Sequence, residues 1–126
     1  MREPPTAGRV AVAALVLNAA WEAAHWPLYE CPFTVGRWLR ASAADAALTA
    51  GVVAGAARLA RGRPAVYRSL LVGAPTAAAA GIELYAHRRE RWCYRPTMPT
   101  VGSVGLSPLA QLPLAGAAAV YLAGRA

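Results

Sequence analysis

The sequence is poor in charged residues and contains no lysine. Only 15% of its 126 residues are charged, whereas a soluble globular domain carries about 25%. Apolar residues make up 57% of the chain, and the mean hydropathy is +0.34. The few charges lie mostly in short clusters between long runs of alanine, leucine and valine. This distribution excludes an ordinary soluble domain and indicates a membrane protein.

Because lysine is absent, the net charge of +7 comes from thirteen arginines. A nucleic-acid-binding protein would place such residues on a soluble basic face with interleaved aromatic side chains. Here they flank apolar runs, as at residues 58–68 and 88–95, where they can anchor to lipid headgroups. We therefore expect membrane lipids, and not nucleic acid, as partners.

Cysteine is also scarce, since Cys31 and Cys93 are the only two. Two widely separated cysteines do not suit a structural zinc site, which uses four ligands in compact pairs. Both fall in predicted loops at the same end of the molecule. A disulfide between them would require an oxidising compartment, and two unpaired thiols fit the sequence equally well.

Four apolar segments each approach the ~20 residues needed to cross a bilayer. They cover residues 9–27, 41–60, 65–87 and 104–123 of a single transmembrane domain, residues 1–126. The first segment resembles a signal peptide, and we interpret it as a retained transmembrane helix. The predicted fold is therefore all-α, an integral membrane four-helix bundle. The small-xxx-small pair Gly51 and Gly55 further predicts a homo-oligomer contact.

Four spans place both termini on one side of the membrane. The arginines divide seven to six between the two sides, so the positive-inside rule hardly sets the orientation. We predict a bacterial inner-membrane protein with cytoplasmic termini. The side opposite the termini, here called the aromatic end, carries all four tryptophans: Trp21, Trp26, Trp38 and Trp92. Trp38 and Trp92 suit an interfacial belt, but the asymmetry indicates that the aromatic end also lines a site.

Polar residues inside the apolar segments are the strongest functional signal. At ~1.5 Å rise per residue, those nearest the aromatic end would lie within roughly 5–10 Å of one membrane surface. A charged side chain at the bilayer centre costs about 2.5–3.5 kcal/mol, so such residues usually mark a site. We predict a polar cleft that opens toward the aromatic end. The candidates, grouped by shared helical face, are Asn18, Glu22 and His25, then Asp45, then Glu83 and His87, and then Gln111.

Acid–base catalysis on a lipid-soluble substrate is the favoured function, with Glu22, Asp45 and Glu83 as catalytic residues. Their charges would repel one another in a cleft of low dielectric, so at least one is expected to keep a proton near neutral pH. A carboxylic acid can start a carbocation reaction, and a second carboxylate or a histidine can take the final proton. Aromatic rings can face the cation. The predicted substrate-binding residues are Asn18, Trp21, His25, Trp26, Tyr29, His87 and Gln111.

Two other functions stay open beside a purely structural role. Glu22 and His25 form the i, i+3 pair used in carboxylate-bridged dimetal bundles. That pattern needs two such pairs and only one is present, so we expect no metal and no other cofactor. A small proton-coupled transporter would use the carboxylates as proton sites. However, alternating access requires a site near the midplane, whereas these residues lie toward one surface.

The stretch LNAAWEAAHWPLY, residues 17–29, resembles the Asn-x-x-Trp-Glu helix of the integral-membrane terpene cyclases of meroterpenoid and indole-diterpene pathways. In that family the glutamate acts with an acidic partner on a later helix. The resemblance implies that Asn18, Trp21 and Glu22 match the motif, that Glu22 is the acid, and that the substrate is an isoprenoid or similar lipid. Those cyclases are longer and have more spans, which suggests a shorter chain that works as a dimer. Residues 83–111 resemble small bacterial four-span membrane proteins.

Overall fold

The computed structural model describes residues 5–125 and is built from four helices. They pack in a ring, in which α1 contacts α2 and α4, and α3 contacts the same two. The predicted all-α class is confirmed, and all four helices are long and apolar enough to cross a membrane. Residues 1–4 and 126, which include Arg2 of the arginine count, lie outside the described residues. The helices are α1 (Ala7–His25), α2 (Val35–Ala60), α3 (Pro64–Arg88) and α4 (Leu106–Ala123).

The ends of α2 follow from local sequence signals. The Thr34 side chain accepts a hydrogen bond from the backbone N–H of Arg37 at 3.2 Å, which caps the helix. The helix therefore begins well before the predicted span, which starts at residue 41. At the other end Arg61 and Gly62 adopt left-handed backbone angles, with φ of 49° and 78°, and this reverses the chain into α3.

The interior of the bundle is made mostly of small and polar side chains, with a few larger ones such as Leu71 and Leu112, while most large apolar side chains of the helices face outward. Val12, Leu59 and Leu114 are 67%, 65% and 55% exposed. A soluble bundle would bury such residues, whereas helices in lipid associate through small residues and interhelical hydrogen bonds. The main apolar cluster inside the bundle consists of Val10, Ala14, Ala46, Ala119 and Ala123, and is called the alanine cluster below.

Residues 89–105, called the connecting segment below, fold back over the aromatic end. The segment contains a hairpin of two short strands, β1 (Thr100–Val101) and β2 (Val104–Gly105). Tyr94 forms an isolated antiparallel bridge with Tyr29, which follows a 3-10 turn (Trp26–Leu28) at the end of α1. The Glu30 N–H donates to the Cys93 carbonyl at 2.9 Å. These bonds fix the segment to the chain that leaves α1.

The two cysteines lie at this contact and are not bonded to each other. Cys31 is half-buried and Cys93 is exposed, and both are free thiols. The carbonyl of Cys93 accepts from the residue that precedes Cys31. The fold therefore brings both cysteines to the aromatic end, where the predicted loops place them, without joining them.

Candidate functional site

A cavity of about 630 Å³ lies at the aromatic end of the bundle. All four helices and the connecting segment contribute to its wall. The three carboxyl groups proposed from the sequence as catalytic residues share this one cavity. The predicted site residues that line it are Glu22, His25, Trp26, Tyr29, Asp45, Glu83 and Gln111.

The Gln111 side chain joins three helices at the base of the cavity and is only 3% exposed. Its Nε2 lies 2.9 Å from Glu22 Oε1, 2.9 Å from Asp45 Oδ2 and 3.1 Å from Asn18 Oδ1. An amide nitrogen carries two hydrogens, so three acceptors compete for two donors. Since both carboxyl groups contact the same nitrogen, their oxygens lie within about 6 Å of each other, close enough for strong mutual repulsion when both are charged.

His25 connects this pair to a second hydrogen-bonded group. Its Nε2 lies 3.2 Å from Glu22 Oε2, and its Nδ1 lies 2.9 Å from Ser107 Oγ. Ser107 also accepts from the Trp21 indole N–H at 3.1 Å. With the imidazole proton on Nε2, the Ser107 hydroxyl donates to Nδ1 while Nε2 donates to Glu22. Trp21 and Ser107 thus hold the ring with its Nε2 toward Glu22.

Glu83 is held in a different way, by groups of the connecting segment. Its Oε2 accepts from the Trp92 indole at 3.1 Å and from the Tyr94 hydroxyl. The Tyr94 oxygen in turn accepts from the Gly105 N–H at 2.9 Å. Burial raises the pKa of Tyr94, and the hydrogen bond to Glu83 raises it further. The phenol therefore keeps its hydrogen throughout the physiological range and remains a donor to Glu83.

Three residues predicted to bind substrate support the cavity from behind instead of lining it. Asn18 is fully buried and accepts from Gln111. Trp21 positions Ser107. His87 packs its ring against Tyr94, with centroids 4.3 Å apart, and its buried Nε2 has no hydrogen-bond partner among the described residues. Asn18 therefore contacts the wall residue Gln111 directly, whereas Trp21 is connected to the wall residue His25 through Ser107 and His87 to Glu83 through Tyr94.

Trp92 and three arginines line the cavity but were not among the predicted site residues. Trp92 donates to Glu83, whereas Trp38, the other tryptophan suited to an interfacial belt, is not part of the lining and donates to the Ala19 carbonyl at 2.8 Å. The three arginines are Arg37, Arg40 and Arg91; the sequence predicts lipid anchoring for Arg91 and no site role for Arg37 or Arg40. Arg37 and Asp45 are eight residues apart, about two helical turns, and so share a face of α2. This spacing was a sequence signal that Arg37 belongs to the site.

Within residues 5–125, no three His, Cys, Asp or Glu side chains come together as a group that could hold a metal ion. No protein-family model, curated protein or solved structure matches the chain. The chemistry of the cavity therefore has to be inferred from its own geometry.

Proposed function

We propose that the four helices cross a membrane, with the aromatic end at one surface. Their length and apolar composition and the outward-facing large apolar side chains support this location. The bacterial inner membrane and cytoplasmic termini remain our prediction. For an oligomer, Gly51 and Gly55 offer an open face, since a Cβ added at either would meet nothing within 4 Å.

We further propose that the protein is an enzyme that uses the Glu22–Asp45 pair for acid–base chemistry on an isoprenoid or similar lipid-soluble substrate. The observation that carries this proposal is the convergence of both carboxyl groups on Gln111. Two carboxylates so close in a site of low dielectric favour a state in which the pair holds one proton. Such a pair can donate a proton in one step and accept one in a later step.

The reaction that fits is cyclisation or isomerisation. A proton from the pair adds to one carbon of a substrate double bond, and a carbocation forms at the neighbouring carbon. The cation rearranges or closes a ring, and loss of a proton to a carboxylate restores the double bond and the enzyme. Substrate and product are isomers, so no oxidant or reductant is consumed. The rings of Trp26, Tyr29 and Trp92 border the cavity and can stabilise the cation.

Glu83 has a separate role in this scheme. It accepts from Trp92 and Tyr94, and a carboxylate with two fixed donors is oriented as an acceptor. It lies in the same cavity as the Glu22–Asp45 pair, so it can stabilise positive charge on the substrate. When Glu83 takes the final proton, it releases that proton to solvent and the pair takes one up before the next turnover. The resemblance of Asn18, Trp21 and Glu22 to the terpene-cyclase motif agrees with this assignment of roles.

Proton-coupled transport is the competing function, and one feature of the fold weighs against it. The alanine cluster fills the bundle between the Gln111 hydrogen bonds and the end at which the termini lie. Val10 and Ala14 lie on α1 before the polar residues, and Ala119 and Ala123 lie on α4 after Gln111. The polar groups described here therefore do not continue across the bundle, as a transport path would require.

The test is turnover in D₂O by wild type, Glu22→Gln and the control Glu90→Gln, in which an exposed glutamate is changed. The purified protein is incubated with prenyl alcohols, and mass spectrometry detects isomeric products that carry carbon-bound deuterium. Glutamine at position 22 keeps the shape and can still accept from Gln111, but it cannot donate an acidic proton. Turnover should fall at least ~10²-fold in this variant, and Glu90→Gln should match wild type.

Stability and metal content are measured on the same samples. A well-folded Glu22→Gln protein with full turnover would refute the mechanism. If bound metal falls in step with turnover, Glu22 is a metal ligand instead. If activity falls only as far as the amount of folded protein, its role is structural.

A further inference from the structure

The rim of the cavity carries positive charge, while its base carries the carboxyl groups. Arg37 and Arg40 lie in the first turns of α2, and Arg91 lies on the connecting segment. Along α2 the backbone of Asp45 is five to eight residues farther on, which is roughly 7–12 Å at the helical rise. The cavity is therefore polarised, with three guanidinium groups at the opening and the proposed proton donor deeper in the bundle.

The guanidinium groups of these three arginines are not used in ion pairs that stabilise the fold. In the part of the chain that the structure describes, none of the three pairs with a carboxylate, and the one side-chain contact between ionisable groups of opposite sign is His25 with Glu22. Arg37 makes a long hydrogen bond to the Pro32 carbonyl, at 3.4 Å. All three are exposed, so their donors are available to a ligand.

Part of the cavity wall is apolar. Ala41 and Ala44 lie between Arg40 and Asp45 along α2, Leu48 lies one turn beyond Asp45, and Ile82 of α3 also lines the cavity. An apolar wall gives a hydrocarbon chain a favourable environment, and the volume of about 630 Å³ falls within the range of small-molecule sites, roughly 300–1,000 Å³. The site therefore suits one chain with a charged head in preference to a bulky two-chain phospholipid.

We infer that the substrate is a single-chain isoprenoid with a phosphate headgroup, bound with its phosphate on Arg37, Arg40 and Arg91 and its chain along the apolar wall. Guanidinium groups bind phosphate oxygens in a two-pronged manner, and a phosphate monoester carries about 1.5–2 negative charges near pH 7, which suits three arginines. The inference rests on the proposed function, because the Glu22–Asp45 pair then meets a double bond of the chain. The phosphate ester takes no part in the isomerisation and is retained in the product.

Binding tests this inference without turnover. Quenching of tryptophan fluorescence, which Trp26 and Trp92 of the cavity wall should report, is titrated with farnesyl phosphate, with farnesol and with inorganic phosphate. The protein is held in neutral detergent. Farnesyl phosphate should bind at least tenfold more tightly than farnesol, and inorganic phosphate should bind weakly. Equal affinity for farnesol would overturn the headgroup assignment, and tight binding of inorganic phosphate alone would indicate a site for a free anion.

The variants are Arg37→Gln with Arg40→Gln, and separately Arg91→Gln. The control pair Arg58→Gln with Arg68→Gln removes the same charge at the opposite end of the bundle, where both arginines are exposed. The rim variants should weaken farnesyl phosphate binding roughly tenfold to a hundredfold and leave farnesol unchanged. An equal loss in the control pair would mean that the anion is attracted only by net charge, and unchanged binding in both rim variants would refute the inference.

Failure of this inference can be told apart from failure of the proposed chemistry. The Glu22→Gln protein should bind farnesyl phosphate as wild type does, because it keeps the rim. Rim-dependent binding without any turnover would leave the headgroup site standing and refute the catalytic role. Turnover of a neutral prenyl substrate that depends on Glu22 but not on the rim arginines would support the catalytic role and refute the headgroup site.

Discussion

Replacing Gln111 by leucine should separate the contribution of the central hydrogen bonds from that of packing. Leucine is similar in size but donates nothing, so the acceptors on Asn18, Glu22 and Asp45 lose their shared donor. The amide has two hydrogens, so it can make two full hydrogen bonds at once. Interhelical hydrogen bonds in membranes average about 0.6 kcal/mol and reach about 1.7, while bonds to charged groups contribute about 1.5–3 kcal/mol. Since two of the acceptors are carboxyl groups, we expect Gln111→Leu to lower the free energy of unfolding by about 2–4 kcal/mol.

The measurement is reversible unfolding in mixed micelles with increasing dodecyl sulfate, followed by circular dichroism. Leu114→Ala on the outward face of the same helix, where Leu114 is 55% exposed, is the matched control and should change the stability by less than about 0.5 kcal/mol. A Gln111→Leu protein within the same range of wild type would refute the reasoning. It would mean that the amide gives no net stabilisation to the carboxyl pair.

Two further predictions concern the connecting segment. A methyl group added at Gly105 would lie 3.0 Å from Tyr94 Cζ and 3.1 Å from Pro108 Cδ, so Gly105→Ala should lower the stability by about 1–3 kcal/mol in the same unfolding assay. Gly36→Ala, where the added atom meets nothing within 4 Å, should not, and equal stabilities of the two variants would contradict the crowding. Tyr94→Phe removes the donor to Glu83 and the acceptor of the Gly105 N–H. Amide hydrogen exchange should speed up at Gly105 and its neighbours but not in α1, and unchanged exchange there would show that the hydroxyl does not hold the segment.

The helices could be predicted from hydropathy, but their ends could not. A hydropathy window detects the apolar stretch of α2 and stops where Arg37 and Arg40 begin. The helix continues through them because its start is set by the Thr34 cap, which contributes little to hydropathy. The predicted span, residues 41–60, therefore leaves out Arg37 and Arg40, which lie on α2 and line the cavity.

The carboxyl groups could be placed together because helical spacing determines which side chains share a face, and a shared depth then restricts where the faces meet. Spacing does not tell a residue that lines a cavity from one that stands behind it, so it could not show that Asn18 and Trp21 lie outside the cavity lining. The contacts of Tyr94 with Glu83 and Gly105 depend on how the connecting segment folds back. No periodic pattern in the sequence encodes that path.

The alanine cluster does little to fix the rotation of each helix about its own axis. A methyl side chain presents nearly the same shape in every direction, so contacts among Ala14, Ala46 and Ala119 do little to select one rotation of each helix about its axis. Directional hydrogen bonds have to make that selection. Those of Gln111 join all three of α1, α2 and α4, while Trp38 links α2 to the Ala19 carbonyl of α1 and Trp21 links α1 to Ser107 of α4. In many enzymes, catalytic groups can be replaced at a gain in stability. Here the carboxyl groups proposed for chemistry also help to hold the helices in their rotational register, so a variant that has lost the reaction would still need polar side chains at the centre of the bundle.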